Sequence, residues 1–336
     1  MTPATSHWPE PIKLQLPERI GAAGNPISPI ELSVQIAGEG PTVVLSHGFP
    51  ELAYSWRHQI RPLVDAGFKV IVPDQRGYGA SDSPESIGDF DLEHLTSDLI
   101  AILDLLEIEQ AVFAGHDWGG NVTWAMPILY PERTAGSIGV NTPYALFPGT
   151  DLLRLAFPDP DKLYLLWFQK PGIAEGIMDE QVRACFDLIM RRAEKPDGES
   201  IMKGGGEDEE LDANPFRRLA ETEPMGEPFL SEEEFETYVR VFESTGFRGG
   251  INWYRNLDRN RELFPEIGTK KLEGPCLMVT AEWDRALTPA LADGMPDLCS
   301  DLEIQMIKEC GHWTQQEKPA ELNAILVDWL TRRMLQ

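Results

Sequence analysis

The sequence predicts an α/β fold: a mostly parallel sheet with helices on both faces and an all-helical cap inserted into it. Three observations carry this. Short β-branched runs alternate with amphipathic helical stretches before about residue 145 and again after about 265. The runs are mostly apolar, as in strands buried on both faces. Between those limits the alternation fails and only helical stretches appear.

Residues 42–46 (TVVLS) and 69–73 (KVIVP) are β-branched runs followed by turn residues, and read as buried strands. Trp56 to Val64, between them, reads as a helix ending before Gly67. Residues 92–106 place Leu92, Leu95, Leu99, Ile102 and Leu106 at steps of three and four, an amphipathic helix. AVFA (111–114) reads as a strand and Gly119 onward as a helix. SIGV (137–140), CLMVT (276–280) and 302–307 are further strands, and the last helix runs from about Ala320 to Arg333. In the helical block, 180–193 carries Val182, Phe186, Ile189 and Met190 at helical spacing. Residues 231–242 open with a capping box, Ser231 and Glu234, and continue with Phe235, Tyr238, Val239 and Phe242 on one face.

The block therefore reads as a cap between two halves of one core, with 1–147 and 265–336 forming the core and 148–264 the cap. An acidic loop is expected at 194–230, holding Gly204–Gly206 and the acids at 207–210. Its plain reading is a solvated surface; a docking site for a basic partner is the alternative.

Acids outnumber Lys plus Arg by 55 to 29, a formal net charge of −26. A phosphate backbone or an anionic membrane repels such a chain, which argues against nucleic acid and lipid surfaces as partners. No uncharged apolar run reaches the roughly 18 residues of a membrane span. The N-terminus lacks the basic start and apolar stretch of a secretory signal. Cys185, Cys276, Cys299 and Cys310 form no CxxC pair and read as buried thiols in a reducing compartment, so a cytoplasmic location is expected. No metal-ligand spacing appears among the histidines and no GxGxxG or P-loop pattern follows a strand, so neither metal nor cofactor is expected.

The strongest local signal is Gly115-His-Asp-Trp-Gly119, directly after the strand AVFA and directly before a helix. This is the nucleophile-elbow pattern, in which a sharp strand-to-helix turn pushes the central side chain to the top of the sheet. The central residue here is Asp117. A carboxylate can displace a leaving group at a saturated carbon to give an alkyl ester, whereas attack on an ester or amide carbonyl would give an anhydride. Asp117 thus predicts displacement at sp³ carbon and argues against esterase or protease chemistry. The competing reading is an Asp that merely caps the following helix.

An alkyl ester must then be cleaved by water, which requires a base and an oxyanion hole. The backbone N–H of Trp118, after the nucleophile, and that of Phe49, in the loop His47-Gly-Phe-Pro50 after TVVLS, are the candidate donors. The base is expected late in the chain, and His312 in Cys310-Gly-His-Trp313 follows a strand. His47 and His116 flank motifs and read as structural. An acid must orient the histidine. After SIGV the available position is Asn141, which carries no charge; after CLMVT comes Ala281-Glu-Trp-Asp284, so the acid is Asp284, with Glu282 as the alternative.

These residues resemble the epoxide hydrolases of the α/β-hydrolase fold, closest to the soluble, cytosolic type, from about residue 30 onward. The supporting segments are HGFPE (47–51), DQRGYGASD (74–82), GHDWGG (115–120), YPER (130–133), WFQKPGIAE (167–175), GFRGGINWYRN (246–256), VTAEWD (279–284) and CGHWTQ (310–315). The resemblance implies that two cap tyrosines hydrogen-bond the epoxide oxygen, and motif match puts them at Tyr164 and Tyr254. It also implies a cis Phe49–Pro50 bond, a small apolar epoxide and water as partners, and a monomer or homodimer. The acidic loop looks long for the family. Aromatic residues expected near the pocket are Phe49, Trp118, Tyr144, Trp167 and Trp283, favouring apolar alkyl or aryl epoxides. The competing readings are a haloalkane or haloacid dehalogenase using the same Asp nucleophile, and a catalytically silent binding protein that docks through its acidic loop.

Overall fold

Strand Thr42–Ser46 is buried along its whole length, and its side chains alternate between two apolar cores. Val44 faces one core while Val43 and Leu45 face the other. Phe113 against Val112 and Ala114 repeats the pattern one strand away. This period-two alternation of uniformly apolar residues is what a sheet covered on both faces demands.

In the computed structural model, residues 8–146, 148–195 and 212–335 are described. Among them an eight-stranded sheet is built from β1 (Ile12–Leu16), β2 (Ile30–Ala37), β3 (Thr42–Ser46), β4 (Lys69–Pro73), β5 (Ala111–His116), β6 (Thr134–Val140), β7 (Leu272–Ala281) and β8 (Cys299–Ile307). The spatial order is β1-β2-β4-β3-β5-β6-β7-β8. β2 runs antiparallel to both its neighbours, β1 and β4, and every other pairing in this sheet is parallel. β1 and β2 alternate less cleanly than the central strands, and the sequence reading did not single them out.

Helices α1 (Arg57–Asp65), α2 (Leu92–Leu105) and α3 (Trp118–Leu129) link the first strands. α1 and the last helix, Pro319–Met334, cover one face through Ile60, Leu63, Leu322, Leu326 and Trp329. α2 and α3 cover the other through Leu95, Leu99, Ile102, Val122 and Trp124.

Between β6 and β7 the chain leaves the sheet and forms α4 (Thr150–Ala156), α5 (Tyr164–Trp167), α6 (Ile173–Met178), α7 (Val182–Ile189), α8 (Glu232–Thr245), α9 (Arg248–Arg255) and α10 (Leu257–Leu263). α8 starts at the expected capping box: Glu234 N–H donates to Ser231 Oγ at 3.3 Å, and Ser231 N–H donates to Glu234 Oε2 at 2.8 Å. α7 is shorter than the stretch 180–193 predicts, because Met190 leaves the helical region of backbone space. Of the expected acidic loop, 196–211 lie outside the described residues. Its second half is held down: Asn214 caps a short turn at Pro215–Arg218, and Arg191 and Pro228 form an isolated bridge.

Candidate active site

Asp117 lies at the junction of β5 and α3 with φ 51° and ψ −122°. A non-glycine residue at positive φ is strained and persists only where its surroundings enforce it. The flanking glycines supply that enforcement. A Cβ at Gly115 would meet the Gly119 carbonyl oxygen at 2.0 Å, and one at Gly119 would meet that of Ser46 at 2.1 Å. Strand, turn and helix can approach this closely only without side chains there. Asp117 makes no side-chain cap to α3, which removes the helix-capping reading.

Its carboxylate is instead gripped by the site. Oδ1 accepts the Phe49 N–H at 2.9 Å, and Oδ2 lies 3.7 Å from His312 Nε2. Trp118 is the first residue of α3, so its amide belongs to the helix end that faces the carboxylate. The Phe49–Pro50 peptide is cis.

His312 Nδ1 hydrogen-bonds Asp284 Oδ2 at 2.9 Å. Asp284 also accepts the Ala286 and Leu287 N–H groups on Oδ1, each at 2.9 Å, and Asn141 Nδ2 on Oδ2 at 2.7 Å. Burial works against its charge, but His312 and these donors outweigh burial and hold its pKa far below the ordinary carboxylate value. Burial likewise disfavours a charged His312, yet Asp284, then Asp117 and Glu51, push its pKa up to about 9. Glu282, the alternative acid, turns outward and pairs with Lys308 at 3.0 Å.

Tyr164, opening α5, and Tyr254, in α9, meet edge to face with ring centroids 5.7 Å apart, and both line the cavity with Asp117. Burial raises the pKa of each hydroxyl, and the Asp117 carboxylate adds to it, so both remain protonated donors at neutral pH. Trp118 and Phe49 pack on the Tyr254 ring at 5.1 and 5.2 Å and fix its pose.

The cavity measures about 710 Å³ and reaches from Asp117 to exposed Leu146, Met225 and Leu291. Phe49, Trp118 and Trp283 line it as expected, but Tyr144 and Trp167 do not. Pro143 and Ala145 face the cavity, so Tyr144 between them points away; it packs on Trp124 and donates to the Lys270 carbonyl at 2.7 Å. Trp167 sinks into the cap beside Phe168, with centroids 5.8 Å apart. Which side of an irregular segment or a four-residue helix faces a cavity is set by its neighbours, and neither position carries a periodic signal.

One supporting residue, Glu51, escapes the sequence reading, and His116 takes the structural role expected of it. Glu51 is fully buried and accepts the Gly48 N–H at 2.9 Å, His116 Nδ1 at 2.7 Å and Gln315 Nε2 at 2.6 Å. His116 Nε2 lies 2.7 Å from the His312 carbonyl oxygen. The pair thus braces the Phe49 loop, the elbow and the His312 loop together. The position of Glu51 inside HGFPE was the available signal.

Among the described residues, no helix is long and apolar enough to cross a membrane, and all four cysteines are free and buried.

The family model described as alpha/beta hydrolase fold matches residues 41–180. Epoxide hydrolase A of Mycobacterium tuberculosis is 40% identical over 312 residues, which are 90% of this chain and 94% of that protein. Bifunctional epoxide hydrolase 2 of Sus scrofa is 39% identical over 300 residues, and the match spans 87% of this chain but only 52% of the pig protein. The crystal structure of epoxide hydrolase A from Mycobacterium thermoresistibile superposes with a TM-score of 0.80 at 36% identity, covering 95% of this chain and 98% of that one. An epoxide hydrolase from Vigna radiata does so at 0.78 and 28% identity, covering 96% and 99%. With an aspartate on the elbow and the mycobacterial relatives matched almost end to end, the chain belongs to the epoxide hydrolases of the α/β-hydrolase fold.

Proposed function

We propose that this chain opens an epoxide to a vicinal diol through a covalent ester on Asp117. The Asp117 carboxylate attacks a ring carbon, the C–O bond of the ring breaks, and an alkyl ester forms. Tyr164 and Tyr254 donate hydrogen bonds to the ring oxygen as its negative charge grows, and it leaves this step protonated. His312, oriented by Asp284, then takes a proton from a water that attacks the ester carbonyl. The Phe49 and Trp118 N–H groups hold the oxyanion. The tetrahedral intermediate collapses, the departing alkoxide takes the proton from His312, and the new carboxyl of Asp117 loses its proton to restore carboxylate and phenol.

The observation that carries the reading is the surroundings of one carboxylate: the Phe49 amide at 2.9 Å, His312 at 3.7 Å, and the phenols of Tyr164 and Tyr254 lining the same cavity. The order of events also fits the electrostatics. Asp117 is one of the charges holding the proton on His312. Esterification removes that charge, so the imidazole is freer to act as a base in the second step, where a base is needed.

The apolar lining, Leu165, Leu188, Phe216, Leu257 and Leu287 among it, supports small apolar alkyl or aryl epoxides as substrates. The same reading divides the chain into a core, 1–147 and 265–336, and a cap, 148–264, that closes over the elbow. Buried free thiols fit a reducing, cytoplasmic setting. The reading keeps a monomer or homodimer as the expected assembly.

A single turnover of styrene oxide in ¹⁸O-water tests the scheme. The first diol is expected to carry ordinary oxygen drawn from Asp117, with label entering the protein. Label in that first diol, or no diol at all, would overturn it.

A further inference from the structure

The loop carrying His312 is held from behind by one side chain. The Glu317 carboxylate is buried, 6% exposed, and its described hydrogen bonds all come from backbone amides. Oε1 accepts the Trp313 N–H at 3.0 Å, and Oε2 accepts the Gly311 N–H at 3.3 Å and the Ala193 N–H at 3.4 Å. The first two donors flank His312. The third belongs to the cap, just beyond the end of α7.

Two further bonds join the same segments. The Trp313 indole N–H donates to the Ile189 carbonyl at 2.6 Å, and Arg192 Nη1 donates to the Glu317 carbonyl at 3.2 Å. Gly311 is pressed against the cap segment beyond α7: a Cβ there would meet Ala193 Cβ at 2.4 Å and Glu317 Oε1 at 2.9 Å. The clamped cap segment is itself cavity wall, since Ile189, Arg192 and Ala193 line the cavity with His312 and Trp313. A carboxylate buried this deeply is costly unless several donors converge on it, and here they come from both sides of the cavity.

We propose that Glu317 is a positioning residue for the hydrolytic step, tying the placement of His312 to the seating of the cap wall at 189–193. It has no described bond to Asp117 or to either phenol, so it acts through the His312 loop and leaves alkylation alone. The inference rests on the two-step reading above.

Rapid-quench single turnovers of Glu317→Gln test it. The amide keeps the shape of the side chain but replaces one accepting oxygen with a donor, so one arm of the clamp is lost. Alkylation is expected to stay within about twofold of the unsubstituted protein while ester hydrolysis slows about tenfold or more, so that ester accumulates and kcat and KM fall together. Trp313→Phe removes the bond to Ile189 together with part of the ring that packs on His312, and is expected to slow the same step by a smaller factor. It decides the question if the Gln variant does not fold. Equal slowing of both steps, or no change in either, overturns the proposal. Absence of any ester in the unsubstituted protein would instead defeat the two-step scheme, and that is seen before a variant is made.

Discussion

The two walls of the cavity are built by different rules. The lower wall hangs from the sheet: Phe49, Asp117 and Asp284 each sit within three residues of the end of β3, β5 or β7, and His312 follows β8 after a short turn. The upper wall comes from short helices, with Tyr164 and Tyr254 delivered by α5 and α9, far apart in sequence and joined by packing through Phe168. Strand ends in a hydrogen-bonded sheet are fixed by register, so the lower wall is rigid and sits where charge must be placed accurately. The upper wall is held by aromatic contacts, which tolerate exchange and set shape. In the proposed mechanism the lower wall serves bond making and cleavage, and the upper wall serves leaving-group stabilisation and fit.

The sharpest test of this division removes the nucleophile. Asp117→Ala is expected to cost about 10⁴-fold or more in turnover with the fold intact, measured as diol formation beside thermal unfolding. Substantial residual turnover would mean that the lower wall does not carry the chemistry.

His312→Gln is next, with hydrolysis slowed by about 10²–10⁴-fold while alkylation persists, leaving an ester visible by intact mass. The pH dependence separates the two states of this residue. His312 in the free protein titrates near 9 because Asp284 and Asp117 hold its proton. In the ester Asp117 is uncharged, so the rate of ester hydrolysis is expected to rise with pH through a lower apparent pKa than the free protein shows by NMR titration. An equal or higher value would remove Asp117 from the coupling. Stability follows the same shift. Because the folded pKa lies above the ordinary 6.5, the contribution of protonated His312 is fully present below about 6.5 and is lost as pH rises through about 9.

On the upper wall, Tyr164→Phe and Tyr254→Phe are each expected to slow alkylation by one to two orders of magnitude, about 1.4–2.7 kcal/mol, without trapping ester. A double variant that alkylates at the normal rate would reduce the upper wall to a lid. The smallest effect is expected at Tyr144→Phe. Its hydroxyl serves the Lys270 carbonyl away from the cavity, so kcat and KM should hold while stability falls by about 1 kcal/mol in a denaturant titration.

The lower wall was legible because each of its residues is tied to a local pattern. Gly115 and Gly119 mark the only kind of turn that lets β5, α3 and β3 approach so closely, and strand ends announce themselves as apolar runs that stop. Asn141 shows the limit of such reading. It cannot carry charge, yet its amide is one of the donors that keep Asp284 ionised, a role visible only once β6 and β7 lie side by side.

By itself, then, the sequence determined the alternation of strands and helices, the elbow with its carboxylate, and the order Asp117, Asp284, His312, since each of these motifs depends on neighbours close along the chain. Only the tertiary structure decided that Tyr144 and Trp167 leave the cavity, that Glu51 and His116 brace three loops at once, and that Glu317 joins the histidine loop to the cap. Those outcomes depend on which buried polar groups find partners across hundreds of residues, and such pairing is settled by packing in space rather than by any local spacing.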